Sequence, residues 1–101
     1  MNRSDEFTLI ATAPQADAVG NQRDKETGRV TVYGDVLSVS REENDSAGSN
    51  GYSEVQKLVL YPWDYSGEKY VMVGDKKKAV YRTYQVDADT LELYVASRKG
   101  L

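Results

Sequence analysis

The sequence predicts an all-β fold, a small barrel of about six antiparallel strands with two long loops and room for one short helix. Three observations predict it. The apolar set is dominated by valine, twelve against seven leucines and one isoleucine, and eight of the ten aromatics are tyrosine; β-branched and aromatic side chains suit a pleated, half-buried surface. Short runs of alternating polarity recur along the chain. Glycine, proline, asparagine and aspartate fall between those runs at hairpin spacing. The 101 residues read as one domain, 1–101. A domain of that size buries only about 60–65% of its unfolded surface, so neighbouring subunits would help it.

Asp5 to Thr12 reads as the first strand, Phe7, Leu9 and Ala11 alternating with Thr8 and Ile10. Ala13 to Gly28 carries Pro14, Gly20, Asn21 and Gly28 and reads as a long loop, functional or mobile. The second strand spans Arg29 to about Ser40. Val30 and Val32 share a face, but Val36-Leu37 breaks the alternation and Val39 continues in the opposite phase. Gly34, just before that switch, suggests a bulge or bend, and the inward phase of this strand stays open. Arg41 to Ser53 is the second long loop. Ser40-Arg41-Glu42-Glu43 has capping-box spacing and Gly48 would end two turns of helix in the left-handed conformation. Such a helix has almost no apolar face and would be weakly held.

Glu54 to Tyr61 is the third strand, and Tyr61 to Gly67 an aromatic connection. Lys69–Val73 and Lys78–Val86 pair around Gly74-Asp75, and Asp87 to Thr90 turns the chain into the last strand, Leu91 to Ala96. Arg98, Lys99 and Gly100 read as a frayed tail. The expected core is Val30, Val32, Leu58, Leu60, Val71, Val73, Leu91, Leu93 and Val95. Several strands are apolar on both faces, which calls for a partner.

Composition narrows the function. Net charge is −3 and the pI about 4.9, so no global basic field draws the chain to nucleic acid. No run approaches the ~18 apolar residues of a membrane span, and the first residues lack a signal-peptide core, so the chain is expected to stay where it is made. Without histidine or cysteine the usual base and thiol nucleophile are missing, and no catalysis or cofactor is expected. Asp87-x-Asp89-x-x-Glu92 lacks the glycine and distant glutamate of a calcium loop, so both aspartates read as turn formers and no metal is expected. Lys76-Lys77-Lys78 reads as a solvated hairpin tip or a guard on an edge strand.

Six pieces resemble, in order, the head-closure or head–tail joining family of tailed bacteriophages, often called minor capsid proteins. They are Asp5-Glu6-Phe7-Thr8-Leu9-Ile10, Asp17-Ala18-Val19-Gly20-Asn21, Ser38-Val39-Ser40-Arg41, Asp64-Tyr65-Ser66-Gly67-Glu68, Tyr81-Arg82-Thr83-Tyr84 and Asp89-Thr90-Leu91-Glu92-Leu93-Tyr94. Asn44 and Asp45 stand where that family usually has an aromatic pair. The resemblance implies a non-enzymatic virion protein, assembled in the host cytoplasm as a homo-oligomeric ring. That ring lies between a portal or adaptor above and tail proteins below, and touches packaged double-stranded DNA non-specifically. Its long loops project into the channel or onto neighbours. Glu42, Glu43 and Asp45, with Gly48 and Gly51 for mobility, are then candidates for a channel loop; alone they read as a solvated loop. Trp63 and Tyr65 read equally as interface anchors or as a lid on the barrel. Tyr81, Arg82 and Tyr84 complete the candidate interface. Two rival readings share the fold: an OB- or SH3-like module binding single-stranded nucleic acid through those three residues, and a β-barrel adaptor of a non-viral assembly.

Overall fold

A computed structural model describes residues 5–16, 20 and 22–98. Six strands form a closed antiparallel barrel: β1 (Asp5–Ala16), β2 (Gln22–Leu37), β3 (Tyr52–Leu60), β4 (Tyr70–Val73), β5 (Lys76–Asp87) and β6 (Thr90–Arg98). Around the barrel the order is β1-β2-β3-β6-β5-β4. A helix, α1 (Arg41–Ser49), links β2 to β3, and a 3-10 turn at Pro62–Asp64 follows β3.

Two short seams close the ring. β2 meets β3 through Asp35↔Val59, Val36↔Leu58 and Leu37↔Lys57. β1 meets β4 through Thr8↔Met72, Leu9↔Val71 and Ile10↔Tyr70. Inside lie Phe7, Leu9, Val32, Leu58, Leu60, Val71, Leu91, Leu93 and Val95, with Val36, Tyr65, Val73 and Val80 packed against them. Each fully buried Leu or Val contributes about 1.5–3 kcal/mol relative to exposure.

Five expectations are corrected. Residues 13–28 do not form a loop over their described part: β1 continues to Ala16 and β2 starts at Gln22, pairing through Ala16↔Gln22. Each strand supplies the other's backbone partners, and Pro14 is tolerated because strand edges accept a residue without an N–H. The tip, including Asp17, Ala18, Val19 and Asn21, lies outside the described residues. Beyond Ala11 and Gly28 the pair is a two-stranded arm projecting from the barrel. Val30, expected in the core, is therefore half exposed (50%): it shares the inward face of Val32 but sits where β2 leaves the barrel.

The bulge expected at Gly34 lies instead on the arm, between Ala11 and Thr12 and opposite Thr27. It turns Glu26 and Arg29 to one side, where Arg29 Nε donates to Glu26 Oε2 at 2.5 Å. Gly34 serves another purpose. It is the last β2 residue opposite β1 (Asp5) and precedes the first opposite β3. A Cβ there would stand 2.1 Å from the Val59 carbonyl oxygen and 3.0 Å from Phe7 Cζ. The side chain of Asp5 accepts from Val36 N at 2.9 Å and ties down the same crossover.

α1 forms where the Ser40 spacing placed it, with Ser40 Oγ accepting from Glu43 N at 3.1 Å. It does not stop at Gly48. The helix runs to Ser49, and the left-handed residue is Gly51 (φ 85°). Lys78 departs from the solvated tip reading: it is only 4% exposed. It lies opposite the inward Val71, and its ammonium is held by protein oxygens instead of water.

Gly34→Ala is expected to lower stability by about 1–3 kcal/mol or more, because backbone and a core ring would both have to shift. Gly48→Ala, with open space around its Cβ, is expected to raise stability by roughly 0.5–1 kcal/mol. Urea midpoints at unchanged m-value check both.

Candidate interaction surface

The pairing register gives the barrel two unlike ends. At one, β3 finishes (Leu60↔Leu91), β5 turns into β6 (Asp87↔Thr90), β4 begins and the arm departs. Among the described residues, six of the seven exposed large apolar side chains gather at this end: Val30, Tyr33, Tyr61, Trp63, Tyr84 and Val86, the seventh being Leu37. Scattered apolar residues are ordinary on a surface, and a contiguous patch makes a candidate interaction site.

The centre of this end is a groove of about 450 Å³. Its one wall is β2 from Val30 to Tyr33; the other is Tyr61, Trp63, Asp64, Ser66 and Glu68. Pro62 starts the 3-10 turn, which sets the Tyr61 and Trp63 rings in a stack, centroids 4.8 Å apart and 14° between planes. Trp63 nevertheless remains 65% exposed. Tyr65 does the opposite. It packs on the core, and its hydroxyl donates to the Glu68 carbonyl at 2.7 Å. Burial, then the Glu68 carboxylate, raises its pKa. Glu68 in turn accepts from Ser66 N at 2.9 Å. The two aromatics thus differ: Tyr65 packs onto the core as a lid would, and Trp63 stacks on Tyr61 and stays exposed.

The groove borders an open strand edge. β2 pairs with β3 only over Asp35–Leu37, so Val30–Tyr33 carry no β3 partner. β5 has a similar edge, since it pairs with β4 only over Lys76–Ala79. Beyond Val80, whose N–H reaches the Lys69 carbonyl at 2.8 Å, no strand of the described residues pairs its β4 side, while β6 covers the other.

The opposite end is polar. Glu54 occupies a bulge in β3 with φ 52°, an uncommon conformation for a side-chain-bearing residue. Lys76 Nζ donates to both its carboxylate oxygens at 3.0 Å, and Ser97 Oγ donates at 3.2 Å. Lys76, then Ser97, hold the Glu54 carboxyl below its ordinary pKa. Lys78 Nζ donates to the Glu54 carbonyl at 2.8 Å and to Gln56 Oε1. Burial lowers its pKa.

A third cluster holds α1. Nine residues are too few for an independent helix, which needs roughly 12–15, and Ala47 is its only buried residue. Glu43 makes the difference: it accepts from Tyr81 Oη at 2.7 Å and from Arg82 Nη2. The Arg82 guanidinium lies 3.9 Å from the Tyr94 ring centroid, and Tyr52 stacks on Tyr81 at 4.8 Å. Hydrogen bonds to a charged group contribute about 1.5–3 kcal/mol each, against 0–1 for an exposed ion pair. The Tyr81 bond therefore matters more than the half-exposed Arg82. Burial, then the Glu43 carboxylate, pushes the Tyr81 hydroxyl well above the usual tyrosine range.

The sequence-derived candidates consequently separate. Glu43, Tyr81 and Arg82 face one another, whereas Glu42, Asp45, Gly48 and Gly51 are exposed along α1 and its end. Trp63 and Tyr84 stand at the apolar end. Val30, Tyr33 and Tyr61 were not singled out; the legible signal was Tyr33 in opposite phase to Val32. Among the described residues, no three of His, Cys, Asp or Glu are placed to hold a metal ion, and no helix is long and apolar enough to cross a membrane.

No protein-family model matches this chain, and no curated protein matches it. Among solved structures it is similar to the solution structure of protein SF1141 from Shigella flexneri 2a, with a TM-score of 0.64 over 99% of this chain and 98% of that one. At 16% identity the likeness speaks to fold alone.

The tyrosine cluster dictates an alkaline response. Tyr81 and Tyr94 have folded pKa values above the ordinary 10.0, so the unfolded chain loses those protons first. Their contribution is complete below pH 10 and is lost as pH rises above it. Thermal melts from pH 8 upward are expected to show a shallower alkaline decline for Tyr81→Phe than for the parent chain.

Proposed function

We propose that this chain is a non-catalytic structural subunit of a tailed bacteriophage, a head-closure or head–tail connector protein acting as a ring below the portal. The observation that carries the reading is the apolar end with its projecting arm. The core is complete within one chain, yet one end presents Trp63, Tyr61, Tyr33 and Val30 to solvent beside an open strand edge. An isolated two-stranded ribbon is marginally stable in water, so the arm also calls for a surface to lie on. Unlike ends suit a subunit placed between two different neighbours. The six ordered sequence pieces supply the particular assembly.

In this reading the ring continues or seals the DNA channel and offers the tail a docking platform. The exposed side of α1, with Glu42 and Asp45, is the acidic channel-facing element; like charge keeps phosphate from sticking. Glu43 anchors that element to the barrel. The nucleic-acid-module alternative is disfavoured by one observation: Tyr81 and Arg82 are engaged with Glu43 instead of open for stacking. An adaptor of a non-viral assembly would share every surface feature but would be missing from virions.

Quantitative mass spectrometry of purified, DNA-filled particles tests the assignment. Roughly six to twelve copies per particle are expected for one closed ring. Abundant free chain with none in particles would overturn it.

A further inference from the structure

The geometry points to head-to-tail strand addition between copies of this chain: the β5 edge of one copy enters the groove beside the β2 edge and Trp63 of the next. The inference rests on the ring reading and names the contact that builds the ring.

Four observations converge on a second copy as the occupant. First, one chain carries both halves of the contact. Among the described residues β2 is open over Val30–Tyr33 and β5 beyond Val80, where it bulges at Tyr81 and Val86; neither stretch contains proline, which would block main-chain pairing. Second, in the six-strand order β2 and β5 are three places apart, on opposite sides of the barrel. Contacts on opposite sides of identical subunits are heterologous, and such contacts close into a ring where the rotation between copies closes.

Third, the directions agree. β2 runs from the arm toward the polar end, and β5 runs from the polar end toward the apolar end. Barrels standing side by side and pointing the same way therefore bring these edges together antiparallel. Fourth, charge and shape match along that direction. Antiparallel docking with Val86 against Val30 sets the β5–β6 turn toward the root of the neighbour's arm. That turn carries Asp87 and Asp89, with no Lys or Arg from Thr83 to Leu91. The arm root has Lys25, beside an Arg29 that is already paired with Glu26. Tyr84 and Val86, both exposed, reach the Tyr61–Trp63 stack. Main-chain bonds then supply affinity and the aromatic wall supplies specificity, as in other strand additions.

The chain has no cysteine, so directed cross-linking of the full-length protein reads the contact. Val30→Cys is mixed with Val86→Cys or with Tyr84→Cys, two positions that cover registers two residues apart, and the concentrated mixtures are oxidised. Opposed strand positions lie within disulfide reach. Covalent dimers are expected in at least one mixture, and a Val30→Cys/Val86→Cys double variant is expected to give a ladder of higher oligomers. All three positions are exposed, and unchanged thermal melts of the reduced variants confirm folding. Dimers from Val30→Cys alone would mean two-fold pairing of β2 with β2 and would overturn the proposal. So would the absence of cross-links in every mixture. The particle count reads the ring assignment separately: ring stoichiometry without cross-links overturns the contact alone, whereas a ladder from a chain missing from particles supports the contact and overturns the connector assignment.

Discussion

The structure depends on two seams of three residue pairs each, β2 with β3 and β1 with β4. Without them Phe7, Leu9, Val32 and Val71 would lie on an open, twisted sheet with water on the face that is now the core. The seams are short for specific reasons. β4 has four residues, and β2 reaches β3 only after Gly34 lets it pass the Val59 carbonyl. A ring closed so briefly by strands of twelve and sixteen residues leaves surplus strand. The surplus of β1 and β2 becomes the arm; the surplus of β2 and β5 becomes open edge. Natural sheets usually guard such edges with charge, proline or a bulge. Here Pro14 and one bulge sit on the arm and two bulges interrupt β5, at Tyr81 and Val86, while Val30–Tyr33 stay unguarded.

The same economy separates the two ends. Polar groups at the α1 end satisfy one another: Glu54 gathers Lys76 and Ser97, Lys78 reaches the Glu54 carbonyl, and Glu43 ties a nine-residue helix to Tyr81 and Arg82. A helix whose only buried residue is Ala47 gains its place from charge-assisted bonds more than from apolar burial. At the other end the large apolar side chains are stacked or exposed. A barrel finished at one end and unfinished at the other is suited to serve as a layer in a stack.

Much of this was legible in the sequence. Alternation located all six strands, and inward Leu58, Leu60, Leu91, Leu93 and Val95 followed from period two. Ser40 announced the start of α1. The arm was not legible because Pro14, Gly20, Asn21 and Gly28 carry turn signals, and only cross-strand pairing, a non-local fact, makes strands of Ala13 to Ala16 and Gln22 to Gly28. Local pattern marks Gly34 as a bulge or bend; what demands the missing side chain is a carbonyl 25 residues away. Lys78 looked solvated as one of three lysines, yet it lies opposite Val71 and its ammonium is held by protein oxygens. For the interaction surface, Trp63 and Tyr84 were readable as exposed aromatics. That Tyr81 and Arg82 would be engaged by Glu43 needed the helix placed against the barrel.

The central claim is that one chain completes the barrel while assembly completes the arm. Residue-resolved hydrogen exchange on the free protein tests it most directly. Amides of Leu58, Leu93 and Val95 are expected to exchange only through global unfolding, and those of Thr12, Ala13, Lys25 and Glu26 through local opening at far lower cost. In purified particles the arm amides are expected to slow toward core values. Arm amides as protected as the core in the free chain would contradict the account, because the arm would then need no partner.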